Sequence, residues 1–397
     1  MDTQTPVALI NDSYGLLAVL ILIPALLFFL AEKTRLKAFF QKVPLLVFAY
    51  FIPSLLSSFG IIPTAAPFYD SVMSFVLPAS LFLLTLSVDI KGIFNLGPKA
   101  LILFFAATAS IVVGGSVSLF IFQDYLPEGI WKGFAALAGS WTGGGVNFVA
   151  VGKMVEADDS MLGMMVIVDV IVAYTWTGIL MYLAGSYKKI DDRFHADNTS
   201  IIELQDKVET FQKESARVSS TSDFMILLGV AFGLTWIAGH LGGLFPTFGG
   251  ILSSFSWKII LITFCAVGLS FTSFRNFEGA GASKLGTLML YMLIGVIGAG
   301  ANFAKVAEYP MLIAAGASWM VFHALIMYTV MRFTKAPLFF MAVGSQANVG
   351  GVASAPIVAS AFHPALATVG VLLGVFGYVI GTYAGLLSAY LMRLIAG

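Results

Sequence analysis

Runs of roughly 18 to 25 apolar residues recur along almost the whole chain, and each is long enough to cross a hydrocarbon layer of about 30 Å as a helix. A backbone in lipid must satisfy its own N–H and C=O groups, which leaves helices or closed barrels. The runs lack the strict alternation of barrel strands, so helices remain. Breaking the chain at charged and at Pro- or Gly-rich positions predicts spans near 14–31, 43–60, 70–90, 98–122, 131–153 and 160–186. The second half gives spans near 223–243, 255–274, 284–304, 310–333, 337–360 and 364–394. The expected fold is an all-α polytopic membrane protein of about 11–12 transmembrane helices, which 59% hydrophobic and 11% charged residues support.

Two stretches break this pattern. GSWTGGGVNFVAV at 139–151 and GSQANVGGVASAP at 344–356 place glycine, hydroxyl and amide residues inside apolar surroundings, and the GGV at 144–146 returns at 350–352. Consecutive glycines weaken a helix and let it open. Interrupted helices at corresponding places of two halves mark the binding site of secondary transporters. The candidate solute ligands are Ser140, Thr142, Gly143, Gly144, Gly145 and Asn147 in the first motif, and Ser345, Gln346, Asn348, Gly350, Gly351 and Ser354 in the second. Close glycine packing between helices is the plain alternative. It accounts for Gly114, Gly115, Gly295, Gly298, Gly300, Gly377 and Gly381, and less well for three glycines flanked by Thr142 and Asn147.

The recurrence divides the chain into a first repeat at 1–186 with an extra N-terminal helix, a polar connector at 187–222 and a second repeat at 223–397. Within the connector, Ser200 and Glu203 form a capping box for a short exposed helix. A further echo links LSVDIKGIFNLGPK at 86–99 with LSFTSFRNFEGAGASK at 269–284. Lys33, Arg35, Lys37 and Lys42 put the first loop in the cytoplasm by the positive-inside rule. The basic residues of the connector ask for the same side, whereas five full crossings between the two would place it outside. Either a glycine-rich segment fails to span, or the connector breaks the rule. With the connector inside, Arg275, Lys284, Arg332, Lys335 and Arg393 are all expected on the cytoplasmic side, and the second half is inverted relative to the first.

Asp169 is the one acidic residue deep inside a long apolar run. A free carboxylate there costs roughly 2.5 to 3.5 kcal/mol on insertion scales, so it should titrate, hold a cation or make a buried structural bond. Together with Asn147 it is the candidate ion-coupling residue. Asp89, beside Lys91 at the end of its run, reads as an interfacial snorkelling residue.

Several functions are disfavoured. A net charge of zero gives no reason to expect nucleic acid, and the single Cys265 rules out an internal disulfide. His240, His323 and His363 have no partner at helical spacing, so no metal is expected beyond sodium, and no cofactor. There is no phosphate-binding loop for ATP drive and no positive segment before the first apolar run that would mark a cleaved signal.

GSWTGGGVNFVAVGKM, VIVDVIVAYTW and GSQANVGGVASAPIVA resemble, over nearly the whole length, the membrane-protein family catalogued as domain of unknown function 819. More distantly the chain is similar to the cation/proton antiporters, bile-acid:sodium symporters and glutamate:sodium symporters. That resemblance implies a panel domain beside a core domain, two broken helices crossing at mid-membrane and elevator-like movement of the core. It also implies a coupling role for Asp169, which matches the antiporters' essential aspartate in place. This chain has one aspartate there rather than a pair, which favours symport. The expected function is therefore sodium- or proton-coupled symport of a small organic anion or zwitterion, such as an amino acid, small peptide or carboxylate. Sodium/proton antiport and a membrane-embedded enzyme are the alternatives. No buried Ser-His or His-Glu-His constellation favours the enzyme. The expected setting is the inner or plasma membrane lipid bilayer, with a homodimer as the candidate assembly.

Overall fold

The computed structural model describes residues 8–40, 45–194, 196, 219–247, 252–301, 308–363 and 366–397. The helix expected at Ser200 and Glu203 lies outside them. The first half comprises α1 (Ser13–Lys33), α2 (Lys37–Phe40), α3 (Leu45–Ser58), α4 (Pro67–Leu86), α5 (Ile90–Phe94), α6 (Pro98–Phe122), α7 (Trp131–Met154), α8 (Asp159–Ala184) and α9 (Tyr187–Phe194). The second comprises α10 (Thr221–Gly242), α11 (Ser254–Ser270), α12 (Ala282–Gly300), α13 (Met311–Thr334), α14 (Leu338–Val349), α15 (Gly351–Phe362) and α16 (Ala367–Ala396). Among the described residues nine helices are long and apolar enough to cross a membrane, and four shorter apolar helices accompany them. The all-α polytopic expectation holds.

One of the nine, α7, does not run straight. Gly144 has φ 74° and ψ −177°, a backbone conformation open in practice to glycine alone, and the chain reverses there. The two limbs lie side by side. A methyl group built on Gly139 would sit 2.8 Å from the Asn147 carbonyl, and one on Gly152 would sit 3.5 Å from the Ala136 methyl. Lys132 Nζ donates to the Glu156 carbonyl at 3.2 Å, so both ends of α7 emerge together. The second motif folds likewise. The chain turns between α14 and α15 at Gly350 and Gly351, the latter with φ 56°. Gln346 Nε2 donates to Ser354 Oγ across the turn at 2.6 Å, and the Phe339 and Phe362 rings at the open end lie 5.5 Å apart. Both motifs interrupt a helix, as their glycines require, but each interruption is a re-entrant hairpin.

This reversal settles the conflict over the connector. Contacts between helix ends define two faces. On the far face, Ile10 N–H bonds the Ile61 carbonyl and Ser54 Oγ donates to the Ala301 carbonyl. On the connector face, Arg275 pairs with Asp89 at 2.6 Å, and Leu338 N–H donates to Asp191. Because α7 starts and ends on the far face, α8 runs to the same face as the end of α1. The glycine-rich segment is the one that does not span. The second hairpin opens on the connector face, so α16 runs to the far face. Arg393 therefore lies opposite Arg275, Lys284, Arg332 and Lys335, correcting the expectation that grouped all five. With Cys265 replaced, single cysteines at Ser186 and Gly397 should be labelled by an impermeant maleimide from opposite sides of the membrane. Labelling of both from one side would mean that a hairpin crosses.

Element order now shows the inversion. The first half runs α1, α3, α4, α6, hairpin, α8, and the second runs α10, α11, α12, α13, hairpin, α16 from the opposite face. No N-terminal helix is left over, since α1 has its counterpart in α10. The echo between 86–99 and 269–284 is not a repeat correspondence. Those segments follow α4 and α11 and meet on the connector face, where buried Asp89 pairs with Arg275 instead of snorkelling.

Side-chain bonding sorts the helices into two groups. Thr108, Ser110, Ser118, Asp169, Trp176, His323 and Asn348 carry bonds linking α6, α8, α13 and the hairpins. Ser80 to the Gly286 carbonyl and Lys258 to the Ser74 carbonyl link α4 with α12 and α11, which share an apolar cluster with α10. Pro78, lacking an N–H, leaves the Ser74 carbonyl without its helical donor, and the Lys258 ammonium takes that place. Among the described hydrogen bonds that join two long helices, all stay within one group.

Candidate functional site

The hairpin tips meet. A methyl group built on Gly351 would lie 3.8 Å from the Gly144 Cα. Both tips ride on α16, which presents a face of glycines to them. Gly374 lies against Val352 N, Gly377 against the carbonyls of Thr142 and Ala347, and Gly381 against Gly143. Side chains on this face would hold the backbones apart, which is why close approach requires glycine here.

Asn147 and Asn348 perform matching tasks. Asn147 donates to the carbonyls of Gly143 at 2.9 Å and Tyr378 at 3.3 Å, and accepts from Thr382 Oγ1 at 2.6 Å. Asn348 donates to the carbonyls of Gly344 at 3.0 Å and Phe104 at 3.2 Å, and accepts from Thr108 Oγ1 at 2.7 Å. In each case the outer carbonyl and the threonine are one helical turn apart. Asn147 thus pins the first hairpin to α16, and Asn348 pins the second to α6. Both side chains are fully buried, with both amide hydrogens spent on the protein.

Asp169 faces the first hairpin, accepting from Trp141 Nε1 at 2.7 Å and Ser140 Oγ at 3.0 Å. Each carboxylate oxygen thus takes one donor from the first hairpin. Thr142 turns its hydroxyl to the Ala138 carbonyl. Ser345 belongs to a buried Ser-His-Ser chain, which corrects the expectation that no buried Ser-His constellation exists. Ser110 donates to the Ala107 carbonyl and so accepts from His323 Nδ1; His323 Nε2 then accepts from Ser345 Oγ, which accepts from Trp176 Nε1. His323 is a neutral, fully occupied junction of α6, α13, α8 and the second hairpin. Its signal was the lone polar side chain in an apolar run, which spacing alone could not pair.

A cavity of about 1450 Å³ opens toward the connector face and reaches inward to the start of α15. Val352 lines it, as does Tyr378, whose ring lies 3.6 Å from where a Gly144 side chain would begin. Its mouth holds Glu32, Asp89, Arg275, Glu278 and Lys284. Burial raises the Glu278 carboxyl above its ordinary range, opposed by bonds from Ser283. Gly144, Gly145 and Gly350 retain partial exposure, whereas Thr142, Ser345, Gln346 and Asn348 are sealed behind them. The lining does not include Asp169.

The second hairpin is capped from outside itself. Pro337 gives α14 no side-chain cap, and Asp191 of α9 accepts from the Leu338 N–H at 2.8 Å in its place. Tyr187 and Phe194 flank it, 5.5 Å from Phe362 and 5.8 Å from Tyr328. Burial raises the Asp191 carboxyl above its ordinary range, the Leu338 bond lowers it and Asp192 raises it further. A folded-state value above the unfolded one gives stability present at low pH and lost as pH rises through the raised value. Asp191→Asn keeps an acceptor for Leu338 and should flatten that decline, with no loss of thermal stability at neutral pH. Asp191→Ala should cost about 0.5–2 kcal/mol. Thermal unfolding of both variants across the acid-to-neutral range checks this.

Comparison with known proteins agrees with the geometry in kind. The chain is 24% identical over 343 residues to a Bacillus subtilis (strain 168) protein named uncharacterized membrane protein YjcL, covering 82% of this chain and 84% of that one. Residues 18–395 match the family described as protein of unknown function DUF819. The chain is a member of that family.

Proposed function

We propose that this membrane protein is a secondary active transporter for a small organic anion or zwitterion, driven by sodium or protons. The observation that carries the reading is the meeting of two oppositely oriented hairpin tips beside a cavity open to one face. Interrupted helices at a midplane contact serve transporters because helix N-termini offer N–H groups to anions, while helix C-termini and opened carbonyls suit cations. Asp169, tied to the first hairpin, is the proposed coupling carboxylate. The division of side-chain bonds supports elevator-like motion, since the α6, α8, α13, α16 and hairpin group could shift against α4, α10, α11 and α12 without breaking a described bond. The excess of Lys and Arg on the connector face suggests that this face is cytoplasmic, in a plasma or inner membrane.

The test is uptake into proteoliposomes under imposed sodium and pH gradients, across labelled amino acids, small peptides and carboxylates. Saturable, gradient-dependent uptake with counterflow is expected. Flux that never saturates would replace the reading with a channel, and chemical conversion of the solute would replace it with an enzyme.

A further inference from the structure

Gln346 lies in the last turn of α14 with no exposed surface, and its neighbours fix which way its amide points. Thr177 gives its hydroxyl proton to the Ala173 carbonyl at 2.8 Å, so toward Gln346 it can only accept. The amide atom 2.8 Å from it is therefore the donor, Nε2, which gives its second hydrogen to Ser354 Oγ. Oε1 is left buried without a hydrogen-bond donor. Such an orphan costs about 1–3 kcal/mol unless a ligand satisfies it.

The same helix end carries further acceptors. The turn at Gly350 and Gly351 removes the helical donors of the last α14 carbonyls, and Gly350 N–H returns only to the Gln346 carbonyl at 2.8 Å. The Ala347 carbonyl and the Thr142 carbonyl of the first hairpin both face Gly377 of α16, 3.5 and 3.1 Å from where a methyl on it would sit. A helix C-terminus carries the negative end of the helix dipole. The helices α14 and α15 contain no Lys or Arg, and α16 none before Arg393.

We infer that the C-terminal end of α14 binds a monovalent cation through Gln346 Oε1. The positive charge is that of a sodium ion or of an ammonium group on the solute. The role of this site in coupling or solute contact rests on the transport reading; the binding itself does not.

The experiment is thermal unfolding of the purified full-length protein in choline chloride, titrated with sodium chloride or methylammonium chloride, with potassium chloride as the ionic-strength control. A saturable rise in Tm with sodium assigns the ion, and one with methylammonium alone assigns the ammonium. Gln346→Leu should abolish the rise. Gln346→Glu, which keeps an oxygen in place and adds charge, should keep it and lower the half-saturating concentration about tenfold, equivalent to about 1.4 kcal/mol. If the leucine variant does not fold, the glutamate variant decides alone. No rise in the wild type beyond the potassium control, or a half-saturating concentration unchanged by substitution, overturns the inference. Cation binding without solute uptake in liposomes would overturn the transport reading and leave this site standing.

Discussion

Gly144→Leu should abolish uptake while leaving a folded, somewhat destabilised protein in the membrane. At φ 74° and ψ −177° any side chain pays backbone strain, on the order of 1–3 kcal/mol. There is room for a first carbon, because the nearest atom to a Gly144 methyl is the Tyr378 ring at 3.6 Å. The longer side chain would press on the Tyr378 ring that lines the cavity, where the proposed solute sits. Gly350→Leu should act similarly through a clash with Ser354 and Gln346. Gly229→Leu is the control, since nothing lies within 4 Å of a methyl built there. Solute uptake and Tm, measured together, separate the outcomes. Full uptake by the Gly144 variant would remove the tips from the solute path.

Asp169→Asn should cut the dependence of uptake on the driving cation. The carboxylate accepts from Trp141 and Ser140 at once; an amide keeps one oxygen acceptor and turns its own hydrogens toward the other donor. A charge-assisted bond is worth about 1.5–3 kcal/mol, so Tm should also fall. The fall alone is uninformative, because a structural aspartate would produce it too. Uptake against sodium concentration at two pH values decides. A coupling role predicts residual uptake that no longer responds to either gradient, and an unchanged response would return Asp169 to a packing role.

Much of the fold was legible because membrane helices declare themselves through length and apolar content. The predicted spans overlie the observed helices, and the two glycine motifs marked the two interruptions. What was not legible was direction. Gly143, Gly144 and Gly145 said that the helix breaks, but a kink and a reversal need the same residues. Only contacts such as Lys132 with Glu156 distinguish them. The basic residues of the connector carried the missing information, in their disagreement with a count of five crossings. Site chemistry was legible by residue type and not by partner. Asn147 and Asn348 stood out as polar groups in apolar runs, yet their partners Thr382 and Thr108 are 235 and 240 positions away. Asp191 was hidden for another reason: it sits in a polar connector, where one more acidic residue carries no signal.

The long reach of those bonds bears on how the protein is made. Translation of the first half delivers Asn147, Thr108, Ser110 and Ser118 to the membrane before Tyr378, Thr382, Asn348, His323 and Ala315 exist to receive them. Polar groups waiting in lipid must find temporary partners or stay near the insertion machinery. The connector is thus a pause in a single assembly rather than a boundary between two finished units. A chain cut within it should yield fragments that are cleared separately and rescued when co-expressed.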